Sequence, residues 1–178
     1  TNQFEGTFSF LYRTSKLDGT GANDNSNLPD PEFEEIHPSI LVSGPIIKDK
    51  LWYRLAHERL DQQDPVHTVG AIVTQDRVQG INSDALTWQV SPRNKLMFQY
   101  QSDPLEISNL GVSSTTPADS TLSLDTESET LSVTWTAPYS PKLLIESTVA
   151  YQDLTSGLSP TASGLENDCV PGNPQLGD

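Results

Sequence analysis

The sequence predicts an all-β fold, an antiparallel up-and-down transmembrane β-barrel present in part, with about seven strands, short periplasmic turns and long extracellular loops. Three observations lead there. Stretches of roughly 9–12 residues alternate apolar and polar at period two, the length a tilted strand needs to cross a bilayer. The connections between them alternate strictly long and short, which a soluble sandwich has no reason to obey. Charged and aromatic residues sort by strand end.

Thr1–Arg13 opens the pattern, with Phe4, Gly6, Phe8, Phe10 and Tyr12 on one face and Glu5, Thr7, Ser9 and Arg13 on the other. Residues 14–35 carry Gly, Asn, Pro and acids without periodicity and read as a long polar loop. Ser39–Arg59 (SILVSGPIIKDKLWYRLAHER) is a hairpin: Ile40, Val42, Gly44 and Ile46 share a face, Lys48, Asp49 and Lys50 make the turn, and Leu51, Tyr53 and Leu55 return. Leu60–Val78 reads as a second polar loop in which only Val69–Val73 is a candidate for local pairing. Leu86, Trp88 and Val90, then Leu96, Phe98 and Tyr100, form a second hairpin around Pro92, Arg93 and Asn94. Residues 103–125, rich in Ser, Thr and Pro, read as a third loop. Leu131, Val133 and Trp135, the turn with Pro138, Tyr139 and Ser140, and Leu143, Ile145, Val149 and Tyr151 make the third hairpin. Residues 1–153 are thus expected to be the first strands of a barrel, and 154–178 an extracellular loop segment.

Lys48, Lys50, Arg93, Lys95 and Lys142 place half of the 10 basic residues in or beside the short turns. All of the 24 acids except Glu5, Asp49, Glu58 and Glu146 lie in the long loops or adjoining strand ends. Trp52, Trp88, Trp135 and Tyr139 cluster near the short turns, and Tyr12, Tyr100 and Tyr151 at the opposite ends, as two interfacial girdles would require. Trp52 alone has the wrong parity for the apolar face.

Two phrases carry a resemblance. The run Gly44-Pro45-Ile46-Ile47-Lys48-Asp49-Lys50-Leu51-Trp52-Tyr53 resembles a phrase near the start of the barrel in TonB-dependent outer-membrane receptors of the Oar-like branch, and the T-N-x-F-x-G opening at Thr1–Gly6 is similar to the one that follows their plug domain. The resemblance implies the bacterial outer membrane, outer-membrane lipid around the strands, and coupling to the TonB energy-transducing complex through an N-terminal part outside this chain. It also implies uptake of a scarce small-molecule or oligosaccharide solute, such as a ferric chelate, a vitamin or a sugar oligomer. The chain reads as a part of such a protein, in matured or truncated form, since no basic-apolar-small leader stands at Thr1.

Composition narrows the alternatives. A hydrophobic share of 34% in 178 residues makes a thin conventional core, and a net charge of −14 argues against nucleic acid. No run is long and apolar enough for a transmembrane helix. Cys169 has no partner for an internal disulfide. His37, His57 and His67 stand at no catalytic spacing and read as polar surface; the Asp18–Asn27 run lacks the spacing of a calcium loop; Glu32, Glu34 and Glu35 read as a solvated rim. No enzyme activity and no cofactor is expected. Arg13, Arg54, Glu58, Gln99 and Gln101 are the candidates for the lumenal wall, with Arg54 and Glu58 placed either to contact a plug or solute or to form a simple lumenal ion pair. The alternatives are a secreted soluble β-sandwich that binds a ligand or a neighbouring cell, and a small outer-membrane barrel needing one more strand.

Overall fold

The structure, a computed structural model, describes residues 2–17, 32–68 and 71–161. Nearly all of them are strand: β1 (Glu5–Thr14), β2 (Glu34–Ile47), β3 (Leu51–Thr68), β4 (Ala71–Ser91), β5 (Asn94–Ser102), β6 (Leu105–Leu110), β7 (Leu122–Ser140) and β8 (Leu143–Pro160). Every pairing is antiparallel, in one sheet.

Eight strands occupy seven positions. Ser102 of β5 faces Asn82 on one side and Glu129 on the other, and Leu105 of β6 faces Gln79 and Thr126. Each neighbour advances by the same three residues, so β5 and β6 are one strand line interrupted at Asp103-Pro104. Proline has no N–H to give, but the ladder is kept around it: Gly80 N donates to Pro104 O and Asp103 N to Ser128 O, both at 3.0 Å. The seven lines therefore run up and down in sequence order, as the alternation predicts. The sheet is open among the described residues, with β1 paired only to β2 and β8 only to β7.

The loops are where the sequence reading is corrected. Residues 60–68 and 71–78 are strand and not loop: β3 and β4 pair continuously from Leu51↔Trp88 out to Thr68↔Ala71; of the candidate local pairing Val69–Val73, Ala71, Ile72 and Val73 are rungs of that ladder and Val69 lies outside the described residues. Residues 103–125 hold β6, a 3-10 turn at Ala118–Ser120 and the start of β7, and residues 154–160 belong to β8. Within the turn assignments, Asn94 begins β5, and Pro138, Tyr139 and Ser140 lie in β7, the turn proper being Pro141 and Lys142. A bulge between Pro138 and Ser140 admits the proline to the strand. The common reason is that backbone ladders do not need apolar alternation. Where both faces of a strand are wet, the period-two signal vanishes while the hydrogen bonds remain. Asp18–Asn27 and Cys169 lie outside the described residues.

Almost no conventional core exists. Among the described residues the only buried hydrophobic is Ala137, while Phe8, Leu131, Val149 and Tyr151 stand largely exposed.

The continuity of β5 and β6 makes a measurable prediction. The amides of Gly80 and Asp103 should exchange with deuterium as slowly as those of the flanking ladder, whereas a flexible 103–125 loop would leave both fast.

Candidate functional site

Antiparallel partners share a face, so the register assigns every side chain to one of two sides. One row across the sheet reads Gly6, Val42, Leu55, Asp84, Tyr100, Leu131, Tyr151. The next row toward the short turns reads Gly44, Tyr53, Leu86, Phe98, Val133, Val149, and the one after it Leu51, Trp88, Leu96, Trp135, Ser147. The opposite side of these strands carries mostly small or uncharged polar side chains, as in Ser83, Gln101, Thr130 and Gln152, with Arg54 beside Ser43 as a charged exception. The sheet thus carries an apolar belt on one face only, in phase over all seven lines.

The belt is slanted. Leu51 begins β3 and pairs with Trp88, yet β4 continues to Ser91 before its turn. Trp135, on the same row, is followed by β7 as far as Ser140. The short turns therefore descend as a staircase, by about 15 Å along the strands over about 19 Å across them, using ~3.4 Å per residue and ~4.8 Å per strand. That is a slope of roughly 38°. The far edge descends in the same sense: on β1 and β2 apolar residues reach Tyr12 and Ile36, while on β7 and β8 they stop at Leu131 and Tyr151, whose row meets β1 at Gly6. On β8 the apolar stretch runs from Leu143 to Tyr151.

Beyond the belt the same face turns acidic, with Asp61, Glu106, Asp125, Glu127, Glu129 and Asp153, all on strands rather than loops. Apolar residues reappear there on the opposite face, at Ile107, Leu124 and Leu158. Sequence reasoning missed this change of face, although the spacing of Leu122, Leu124, Leu154 and Leu158 against Leu131 and Tyr151 shows it.

All five candidates for the polar wall share the polar face. Arg13 pairs with Glu35 at 2.8 Å, and its guanidinium lies 5.6 Å from the Phe33 ring centre. Glu58 does not meet Arg54; its carboxylate takes His37 Nε2 at 2.6 Å, since Ser39 and Ile81 flank Glu58 and His37 lies diagonally across on β2. Gln99 and Gln101 face Ser132 and Thr130. On the other face His57 Nδ1 lies 2.7 Å from Asn82 Oδ1, and Nε2 lies 3.2 Å from Asp84 Oδ1 but off hydrogen-bond alignment, leaving that oxygen buried without a donor. Among the described residues no group of His, Cys, Asp and Glu is arranged to hold a metal ion.

The structure brings together the two sequence phrases, with Asn2 and Asp49 in contact across 47 residues. Asn2 Oδ1 accepts from the backbone N–H of Asp49 at 3.1 Å and from Trp52 Nε1 at 3.2 Å, and Asn2 Nδ2 donates to Asp49 Oδ1 at 2.6 Å. The Phe4 ring lies over Gly44, where any Cβ would collide with it. This clamp accounts for the parity of Trp52: it faces the polar side with Pro45 and Thr87, and its indole N–H is committed to Asn2. Asp49 holds the turn at φ 61°, a left-handed value that costs a non-glycine residue and that its pinned amide and carboxylate help maintain. Trp135 Nε1, by contrast, finds Asn94 Oδ1 of the next short turn, at 3.0 Å.

Comparison with protein-family models, with curated proteins and with solved structures finds no match to this chain.

The clamp has a local test. Asn2→Ala should cost about 1 kcal/mol, the net worth of a modest hydrogen-bond set. It should speed amide exchange at Asp49 while leaving the Ser91–Asn94 turn unchanged. Equal exchange in both turns would show that Asn2 holds nothing.

Proposed function

We propose that this chain forms early strands of a transmembrane β-barrel in the bacterial outer membrane, within a TonB-dependent receptor that takes up a scarce solute. The observation that supports the membrane part best is the slanted belt. Strands that cross a bilayer in a barrel tilt by about 35–45°, so a horizontal slab of lipid marks them with a band running obliquely to the hydrogen-bonded rows. Both edges of the belt run obliquely in the same sense and at about that angle, and its span on β8, Leu143–Tyr151, suits a transmembrane strand. Burial against a second sheet in a sandwich gives no cause for turns and far edge to slope together.

Topology supports a barrel larger than these strands. With seven lines, β1 and β8 run in the same direction, so a direct closure would be parallel. Exposed edges are not tolerated in lipid, and further antiparallel strands resolve both difficulties. The receptor identity rests on the two phrases, and their contact through Asn2 and Phe4 gives them a shared physical purpose at the rim where the chain enters β1. In this reading Arg13, Arg54, Glu58, Gln99 and Gln101 face the lumen or the plug. The acidic strand extensions stand outside the membrane around the mouth. Solute binds at the loops and plug apex, and energy from the TonB complex rearranges the plug, as the resemblance implies.

Two measurements test this. Cells lacking the protein should grow poorly on one limiting solute and match, for that solute, cells lacking TonB; normal growth on every solute that needs TonB would contradict the uptake role. Val133→Arg, on the belt, should cost about 2–4 kcal/mol of stability in vesicles, whereas Ser132→Arg on the other face should cost under about 1. Equal costs would remove the bilayer from the account.

A further inference from the structure

The short turns carry cations that neither the belt nor the polar wall uses. Lys48 and Lys50 stand in the β2–β3 turn, Arg93 in the β4–β5 turn and Lys142 in the β7–β8 turn, and all four are exposed. Among the described residues none of the four lies within ion-pair distance of a carboxylate. The acids closest to these turns are engaged or turned away. Asp49 is held by Asn2, Glu5 faces the polar side with Ser43 and Arg54, and Glu146 shares a polar-side row with Thr136 and Lys95.

Their place relative to the belt follows the layers of a membrane leaflet. Leu86, Phe98 and Val133 form one row, the indoles of Trp88 and Trp135 stand on the next row of the same face, and the turns lie beyond. Hydrocarbon, interface and headgroup succeed one another in that order, and aromatic rings favour the middle layer. The slant brings the turns to one depth. Each is two strand lines from the next, about 12 Å along the slope, so in a sheet tilted at that angle the cations form a level row. At the other edge of the belt the same face bears Asp125, Glu127, Glu129 and Asp153, with Arg59 as its one lysine or arginine among the described residues.

Resting on the membrane reading above, we propose that the short turns bind anionic phospholipid of the leaflet they meet. Lys48 with Lys50 takes one phosphate, Arg93 a second and Lys142 a third, while the acyl chains lie on the belt past Trp88 and Trp135. The cations keep their charged ends at the wet rim and extend their stems along apolar surface. Attraction to an anionic leaflet adds over neighbouring cations, so the row fixes the depth at which the sheet sits.

The test is native mass spectrometry of the intact protein extracted in mild detergent and incubated with equal amounts of phosphatidylglycerol and phosphatidylethanolamine. Phosphatidylglycerol should be retained in preference. A variant combining Lys48→Gln, Lys50→Gln, Arg93→Gln and Lys142→Gln should lose one phosphatidylglycerol for each of the three turns. Lys48→Arg with Lys50→Arg should lose none, and Arg59→Gln at the far edge should change nothing. Equal retention of the two lipids, or full retention of phosphatidylglycerol by the four-glutamine variant, would overturn the turn site and leave the barrel reading standing. Recovery of the protein in the aqueous fraction would overturn the membrane reading itself.

Discussion

A shared register across seven strand lines is the constraint on which the rest of this structure depends. Side chains alternate faces at every residue, so a slip of one residue between any two strands would move Tyr53, Leu86, Phe98 and Val133 out of line with their neighbours. Among the described residues no layered core exists to absorb such an error. Local devices hold the register where a strand could shift: Asn2 on the Asp49 turn, Phe4 on Gly44, and the Trp135 indole on Asn94. Each acts beside a short turn, where an antiparallel pair first sets its alignment.

From that register a surface follows that a soluble protein would have to hide. The belt exposes aromatic and aliphatic side chains across the full width of the sheet, and only a large apolar partner offsets such exposure. In the barrel we propose, the same exposure to a bilayer would be favourable, the polar opposite face would be wetted or plugged, and the long acidic extensions of β3, β4, β7 and β8 would lie in water. The appearance of Ile107, Leu124 and Leu158 on the opposite face fits the change of surroundings that this proposal gives each strand.

Much of this was legible in the sequence, and the limits have a physical origin. Leu131, Val133 and Trp135 against Ser132 and Thr134 declare a strand because one face is apolar and the other is not. Leu60–Thr68, Ala71–Val78 and Thr126–Glu129 declare nothing, because a ladder with no continuous apolar face tolerates Asp, Gln and Glu on either side. The interruption at Asp103-Pro104 reads as a loop for the same reason, while its backbone stays in the ladder. That Arg54, Gln99 and Gln101 share the face opposite the belt was legible by parity, as the cross-strand register shows. The Glu58–His37 contact was not, since diagonal neighbours depend on a cross-strand register that spacing alone cannot supply. Trp52 broke the parity rule because its partner, Asn2, lies 50 residues away.

The most direct measurement is a nitroxide scan along β1, β7 and β8 of the intact protein in lipid vesicles, reading accessibility to oxygen and to a water-soluble nickel chelate. Oxygen contact should peak at Leu131, Val133 and Trp135 and alternate with Thr130, Ser132 and Thr134. The change from lipid to water should fall near Glu129 on β7 but beyond Tyr12 on β1, six residues past the position that shares the Tyr151 row. Chelate access on both faces, or a boundary that follows one hydrogen-bonded row across all strands, would contradict a tilted sheet in a membrane.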